Sequence, residues 1–298
     1  MRRSSRVAAL LLAGLIPLVL GAASAGTSNA SPLSRRAPEA WDNVKVIQHN
    51  VAKQPAAIQS ALARAANVGA PAITLQEVCK RDFESLIRPA ATAGGWTIAF
   101  HERRSGVSEC DDTALGEVAI WKLSNGNGSS IDFTSEPVTD GKGVVHRFGM
   151  ACVRVVQAGG PTHRLCSTHL IAFDTAPPVR ASQTARIKQI TSEWINWGNN
   201  VIVGGDFNIQ PSLDVMDTMY TQAGTGNFYE ADPCKCRVNG DNKNTANTSV
   251  PGSLPRKIDY VFYSMNRTQP GRARNIITSV TASDHLMVTA SMMVEVSP

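Results

Sequence analysis

Several short apolar runs of this chain end in side chains that suit a divalent cation or a phosphate. Asn50 closes the run Val44 to Asn50, and Glu77 follows Ala72 to Leu75 with Gln76 between them. His169 ends Leu165 to His169, while Asp206 and Asn208 follow Val201 to Val203. Asp259 lies inside Lys257 to Tyr263, and Asp284-His285 precede the last apolar run. Carboxylate and amide oxygens suit hard cations, and an imidazole beside a carboxylate can hold or move a proton near neutral pH. The oxygens of a phosphodiester repel a nucleophile, so its hydrolysis needs a cation, a base for water and a group that stabilises departure. Glu77, His285 and His169 could meet those needs if the fold gathers them. Singly, each has a plainer reading: an Asp or Asn after a strand commonly shapes a turn, and an isolated His commonly satisfies a core contact. Asp259 is the exception, because a carboxylate between Ile258 and Tyr260 in an apolar strand needs a buried partner.

The elements that must position these residues alternate in type. Val44 to Asn50 reads as a buried strand, Pro55 opens an alanine-rich helix to Asn67, and Ala72 to Leu75 is the next strand. A second helix is expected over Arg81 to Ala91, with strands at Trp96 to Phe100 and Glu117 to Lys122. Val144 to Val156 and His163 to His169 read as an antiparallel hairpin around Ala158-Gly159-Gly160-Pro161. Ile187, Ile190, Trp194 and Trp197 recur at helical spacing within Val179 to Trp197, and Gly198 stops that helix. Val201 to Val203, Lys257 to Tyr263 and Leu286 to Val294 complete the strands. Hairpins among the alternating elements argue against a purely parallel sheet.

Residues 1–25 read as an export signal: Arg2, Arg3 and Arg6 precede the apolar run Val7 to Leu20, and Ala23-Ser24-Ala25 fits cleavage before Gly26, with Ala30 as a second choice. The run is short for a membrane span, which needs about 18 apolar residues. Residues 26–40 read as a flexible lead-in and 41–298 as one domain, expected to be a secreted, extracellular monomer with no transmembrane segment in the mature chain. The formal charge of +5 falls to +2 without the three arginines of the signal, so overall charge selects no partner and any attraction to a polyanion rests on local clustering, with arginines 103, 104, 147, 180 and 186 as the candidates. Six cysteines in an exported chain suggest disulfides. Cys152 and Cys166 face one another across the expected hairpin, Cys79–Cys110 is a plausible loop closure, and Cys234–Cys236 is left; free thiols or a zinc site are the alternatives for that last pair.

Taken together, Gln48-His49-Asn50, Gln76-Glu77, Thr168-His169-Leu170, Gly205-Asp206-Phe207-Asn208, Ile258-Asp259-Tyr260 and Ser283-Asp284-His285 resemble the endonuclease/exonuclease/phosphatase superfamily, the deoxyribonuclease-I-like fold. The resemblance covers nearly all of the expected mature chain. It differs at Ala52, where many members carry an acid, and at Leu286-Met287, where a basic residue and proline are common. It implies an α/β fold, a four-layer sandwich of two mixed sheets packed face to face with helices outside. It also implies roles. Glu77 would be the principal ligand of Mg²⁺ or Mn²⁺, with Ca²⁺ as a further option, and Asn50 and Asp284 would be nearby oxygen ligands or water holders. Asp206 and Asn208 would position water and a phosphate oxygen. His285 would act as base or charge stabiliser, oriented by Asp259, and His169 would donate to the phosphate or protonate the leaving oxygen. By looser alignment, Glu102 would orient His169 and Arg147 would contact a phosphate.

Secretion and disulfides favour an extracellular nuclease acting on DNA or RNA. A sphingomyelinase, or another lipid or inositol-phosphate phosphoesterase on the same scaffold, is the alternative, although no apolar hairpin rich in Trp and Phe is seen for entering a bilayer. From another class, a catalytically inactive binding module or toxin subunit would use the scaffold for recognition only.

Overall fold

The computed structural model describes residues 41–122, 126–134, 138–139, 143–156, 160–172, 177–221, 224–232, 257–269 and 275–296. The expected export signal, the expected lead-in over 26–40 and the expected Cys234–Cys236 pair lie outside the described residues. One sheet holds β1 (Trp41–Asn50), β2 (Ala72–Cys79), β3 (Thr97–Val107), β4 (Thr113–Trp121), β13 (Thr268–Gln269), β14 (Asn275–Ser279) and β15 (Met287–Glu295). Its order is β13-β15-β1-β2-β4-β3, with β14 also on β15, and only the β1/β2 pair is parallel. The other sheet holds β5 (Gly126–Asp132), β8 (Gly149–Val156), β9 (Thr162–His169), β10 (Asn200–Asp206), β11 (Phe228–Glu230) and β12 (Asp259–Ser264) in the order β11-β12-β10-β9-β8-β5, with β9/β10 parallel. The strands β6 (Val138–Thr139) and β7 (Val145–His146) form a separate pair.

Period-two alternation distributes the side chains among layers. Val46, Ala72, Ala119, Leu165, Ile202 and Val261 fill the space between the two sheets. Their alternates Ile47, Ile73 and Val118 pack against Ile58 and Ala61 of the helix Pro55–Asn67. On the opposite outer face, Val201 and Val203 pack against Ile187 and Trp194 of the helix Pro177–Asn196. The result is the four-layer α/β/β/α sandwich with mixed sheets that the motifs implied. Trp197 departs from the expected helical face: the helix ends at Asn196, Gly198 turns the chain with φ 77°, and Trp197 is left 66% exposed.

The expected second helix is a series of three helical stretches, Lys80–Asp82, Phe83–Ile87 with a π turn, and Arg88–Gly94. β3 runs on to Val107, well beyond the expected end at Phe100, and β5 and β14 had no sequence expectation. Their polar residues, Gly126-Asn127-Gly128-Ser129-Ser130 for example, carry no apolar alternation, so these strands exist only because a neighbour offers them a hydrogen-bonding edge. Disulfides join Cys79 to Cys110 and Cys152 to Cys166, the latter directly opposed on β8 and β9.

Two glycines permit close approaches near the strand ends. A Cβ on Gly204 would stand 2.2 Å from Thr74 Oγ1 of the facing sheet, and one on Gly116 would stand 2.0 Å from the His101 carbonyl oxygen. Gly204→Ala is therefore expected to cost about 1–3 kcal/mol by overpacking, read as a lower thermal midpoint; a wild-type midpoint would show that the sheets can separate there at no cost.

Candidate active site

The alternation that fills the inter-sheet core also builds the site. Val44 and Val46 face between the sheets, and so do Gln48 and Asn50 further along β1, where the layer turns polar. By the same parity Leu165 leads to Ser167 and His169, Ile202 to Gly204 and Asp206, and Val261 back to Asp259. In register, His169 and Asp259 each lie opposite Asp206 across adjacent strands. A row of three proton-bearing groups thus ends one sheet, facing Asn50 at the end of the other.

Glu77 should point outward by this rule, because Gln76 points inward to donate from Nε2 to Ser167 Oγ at 3.0 Å. A β-bulge intervenes: Leu75 pairs with Val118 but Val78 with Gly116, so β2 carries one extra residue, and Glu77 takes φ 54°. A left-handed conformation is costly for a residue with a Cβ, and here it re-aims a carboxylate toward the site. A second bulge occupies the other side of β4, where Glu102 pairs with Gly116 and Arg104 with Leu115, leaving Arg103 as the extra residue.

Asn50 is the hub. Its Nδ2 lies 3.2 Å from Asp206 Oδ2, 3.3 Å from Glu77 Oε1 and 3.4 Å from His285 Nε2, while its Oδ1 accepts the Ala52 N–H at 3.1 Å. Its nitrogen faces the carboxylates, so in this arrangement Asn50 orders the acids rather than presenting an oxygen to a cation. Asp259 is fully buried and uses both oxygens: Oδ1 accepts from Gln48 Nε2 at 2.8 Å and Oδ2 pairs with His285 Nδ1 at 2.9 Å. These are the buried partners its sequence context demanded. Asp206 Oδ1 accepts the Asn208 N–H at 2.9 Å, and its Oδ2 lies 3.4 Å from His169 Nε2 and 3.7 Å from His285 Nε2. Asn208, at φ 51°, donates from Nδ2 to the Leu170 carbonyl at 3.0 Å. Ser283 Oγ donates to the Asn50 carbonyl at 2.6 Å and accepts the His285 N–H at 3.0 Å, tying the last motif to the end of β1.

Three expected residues stand apart from this hub. Asp284 is exposed beside it, with Ser283 Oγ at 3.4 Å from its Oδ1. Glu102 does not orient His169: it is exposed, because alternation along β3 sends His101 and Arg103 inward and Glu102 outward. Arg103 takes that place, with Nη1 2.9 Å from His169 Nδ1. Arg147 is exposed and lines a small cleft with Glu102, Arg103, Arg104, Ser105 and Val145, so it stands next to the residue that holds His169. Sequence reading passed over Lys53, Gln48 and Ser283 as functional side chains and took Arg103 only as one of several arginines that could attract a polyanion. Gln48 and Ser283 lay inside the quoted motifs, whereas Lys53 carried no signal of its own.

The charges follow from these contacts. Burial opposes ionisation of Glu77, but the positive field of His169 (charged only in acid), Arg103 and Lys53, with the Asn50 amide, holds its pKa down to about 2. Burial and the nearby Asp259 push Asp206 up to about 7, against His285 and the Asn208 and Asn50 donors. Burial alone would lower His285, yet Asp259, by charge and hydrogen bond, and then Asp206 and Asp284 raise it to about 10. Burial, then the Arg103 charge, drive His169 well below the usual imidazole range. Because folded His285 keeps a proton that the unfolded chain releases near pH 6.5, this pair's stabilisation is complete below pH 6.5 and is lost as pH rises toward 10, by up to about 1.4 kcal/mol per pH unit. In chelator, the thermal midpoint of His285→Gln should accordingly fall less between pH 7 and 9 than that of the wild type; parallel slopes would show that His285 holds no such proton.

The donors fit a hard divalent cation. Glu77 is ionised and partly open to solvent, and a cation already attends it, since Lys53 Nζ lies 3.2 Å from Oε2. Asp206, Asp259 and His285 also bring ligand atoms within 4.8 Å of one another. Asp259 has both oxygens engaged, however, and the shared face of Asp206 and His285 is better suited to proton transfer than to ligation.

A family model described as "Endonuclease/Exonuclease/phosphatase family" matches residues 47–285. No curated protein matches the chain by sequence. The fold is similar to the human Nocturnin catalytic domain with bound sulfate anion, at TM-score 0.63 and 17% identity, covering 85% of this chain and 97% of that one. It is also similar to truncated Caenorhabditis elegans TDP2, at TM-score 0.56 and 17% identity over 84% and 97%. ANGEL2, a 2',3'-cyclic phosphatase, gives TM-score 0.58 and 12% identity over 87% and 99%.

Proposed function

From the premise that this chain belongs to the endonuclease/exonuclease/phosphatase family and is a metal-dependent phosphoester hydrolase, we propose that it is an exported nuclease that cleaves DNA or RNA phosphodiester bonds. The observation that carries this reading is the row His169–Asp206–Asp259 with His285 closing on it, joined through Asn50 to Glu77. Glu77, with Asp284 as a further oxygen ligand or water holder, would hold Mg²⁺ or Mn²⁺, and the bound ion would supply positive charge to a phosphate oxygen. Asp206, with its affinity for a proton set near neutrality, takes the proton of the attacking water as the new P–O bond forms. His285, already protonated and held by Asp259, balances the charge gathering on the phosphate oxygens. Asn208 sets the angle of Asp206 through its backbone N–H.

The arginines 103, 104 and 147 around the neighbouring cleft favour a polyanion. The sulfate anion bound in Nocturnin and the description of ANGEL2 as a 2',3'-cyclic phosphatase agree with a phosphate-sized site. Among the described residues Trp197 is the only strongly exposed aromatic side chain, which gives a lipid surface little to grip. Two disulfides are compatible with an extracellular setting, and among the described residues no helix is long and apolar enough to cross a membrane.

The deciding assay offers one batch of protein plasmid DNA, RNA, sphingomyelin and phosphomonoesters, with and without chelator. Metal-dependent cleavage of nucleic acid, lost in His285→Ala, supports the reading. Preferential hydrolysis of sphingomyelin would replace it with the lipid reading, and inactivity with Mg²⁺, Mn²⁺ and Ca²⁺ alike would favour a binding module.

A further inference from the structure

The two histidines that flank Asp206 are held by opposite partners at the same ring position. His285 presents Nδ1 to the Asp259 carboxylate at 2.9 Å, so Nδ1 donates and carries hydrogen. His169 presents Nδ1 to the Arg103 guanidinium at 2.9 Å. A guanidinium has only donors and keeps its charge in proteins, so this Nδ1 must accept and cannot carry hydrogen. The hydrogen of a neutral His169 ring is then on Nε2, which lies 3.4 Å from Asp206 Oδ2. A second proton on Nδ1 would set N–H against N–H, with both side chains buried.

Alternation along β3 turns Arg103 inward, and its Nε lies 3.4 Å from Oε1 of the buried Glu117. His101 stands on the far side of Glu117 with Nε2 at 4.0 Å, and that nitrogen donates to the Arg147 carbonyl at 2.9 Å. Arg103 therefore has the Glu117 side chain beside its Nε and the His169 ring at its Nη1.

We infer that Arg103 is a positioning residue that fixes His169 as its Nε2–H tautomer, making His169 a neutral hydrogen-bond donor to a phosphate oxygen and not the acid that protonates the leaving oxygen. This deepens the phosphodiesterase reading and rests on it for the phosphate, whereas the tautomer stands on geometry alone. In the reaction the water oxygen bonds to phosphorus, its proton passes to Asp206, and the P–O bond to the leaving group breaks. His169 gives up no proton in any of these events, so the departing oxygen leaves as an anion or takes its proton from solvent.

Two readouts test this. Long-range ¹H–¹⁵N spectra of the full chain at neutral pH, with the ring assigned from its loss in His169→Ala, should show an unprotonated Nδ1 and protonated Nε2 at His169. Arg103→Lys, which keeps a donor, should preserve that pattern, and Arg103→Met should lose it while the Nδ1–H signature of His285 persists as the sign of an intact fold. A His169 ring bearing hydrogen on Nδ1 in the wild type overturns the inference. The kinetic arm uses p-nitrophenyl and phenyl phosphodiesters of thymidine. His169→Ala should slow both by the same factor, and a loss at least tenfold larger for the poorer phenyl leaving group would make His169 the acid after all. Absence of any phosphodiester cleavage would refute the functional reading and leave the spectroscopic result to judge the tautomer by itself.

Discussion

Asp206→Ala should lower kcat by about 10³-fold while leaving metal affinity near the wild-type value. Asp206 is the one carboxylate that touches both imidazoles and the Asn50 amide, at 3.4, 3.7 and 3.2 Å, and burial with the Asp259 charge tunes its proton affinity to about neutrality. Its removal takes away the proton acceptor and the common anchor of the surrounding donors together. Asp206→Asn separates those two losses, because an amide keeps the size and much of the hydrogen bonding but cannot take a proton. A similar fall in single-turnover rate for both variants identifies proton acceptance as the essential property. Retention of a tenth or more of the wild-type rate by Asp206→Asn would assign the base elsewhere.

Glu77→Gln should weaken Mg²⁺ or Mn²⁺ binding by at least about tenfold, read by titration calorimetry, and lower kcat/KM by about 10²-fold or more at fixed metal. The carboxylate is ionised throughout the useful pH range, and Lys53 beside it shows that the position accepts a cation. Replacing it with a neutral isostere leaves the Lys53 charge facing an incoming metal with nothing to offset it. The backbone supplies a second readout. Glu77 adopts φ 54°, a conformation that glycine takes up without strain, so Glu77→Gly should raise stability by about 1 kcal/mol while abolishing metal affinity. Wild-type metal affinity in either variant would remove Glu77 from the ligand set. A lower thermal midpoint in the glycine variant would show that the carboxylate contacts outweigh the strain.

Many of the residues gathered here could be anticipated because they share a rule that sequence displays: polar chemistry at the ends of apolar strands. Asn50, His169, Asp206 and Asp259 each continue the parity of an apolar residue that faces the other sheet, so the pattern that announces a buried strand also announces where its last side chain points. Asp259 was the clearest case, since an ionisable group inside an apolar run must find partners, and Gln48 and His285 are those partners. Parity misleads at a bulge. Glu77 should face the helix and does not, whereas β3 keeps its alternation through Arg103, which faces His169 in place of Glu102.

Sequence alone therefore determined the layered α/β class, the set of strands that end in chemistry, and the residues at most of those ends, because alternation and burial are local and repeat along the chain. The tertiary structure decided which groups touch. Strands distant in sequence bring Gln48 to Asp259, Asn50 to Asp206 and Arg103 to His169, and an extra residue in β2 re-aims the Glu77 carboxylate toward the site. Pairing and bulges are set by the neighbouring strand, so a chain read one segment at a time cannot display them. The protonation state of each histidine follows from that neighbour in turn: a carboxylate holds His285 charged, and a guanidinium holds His169 neutral.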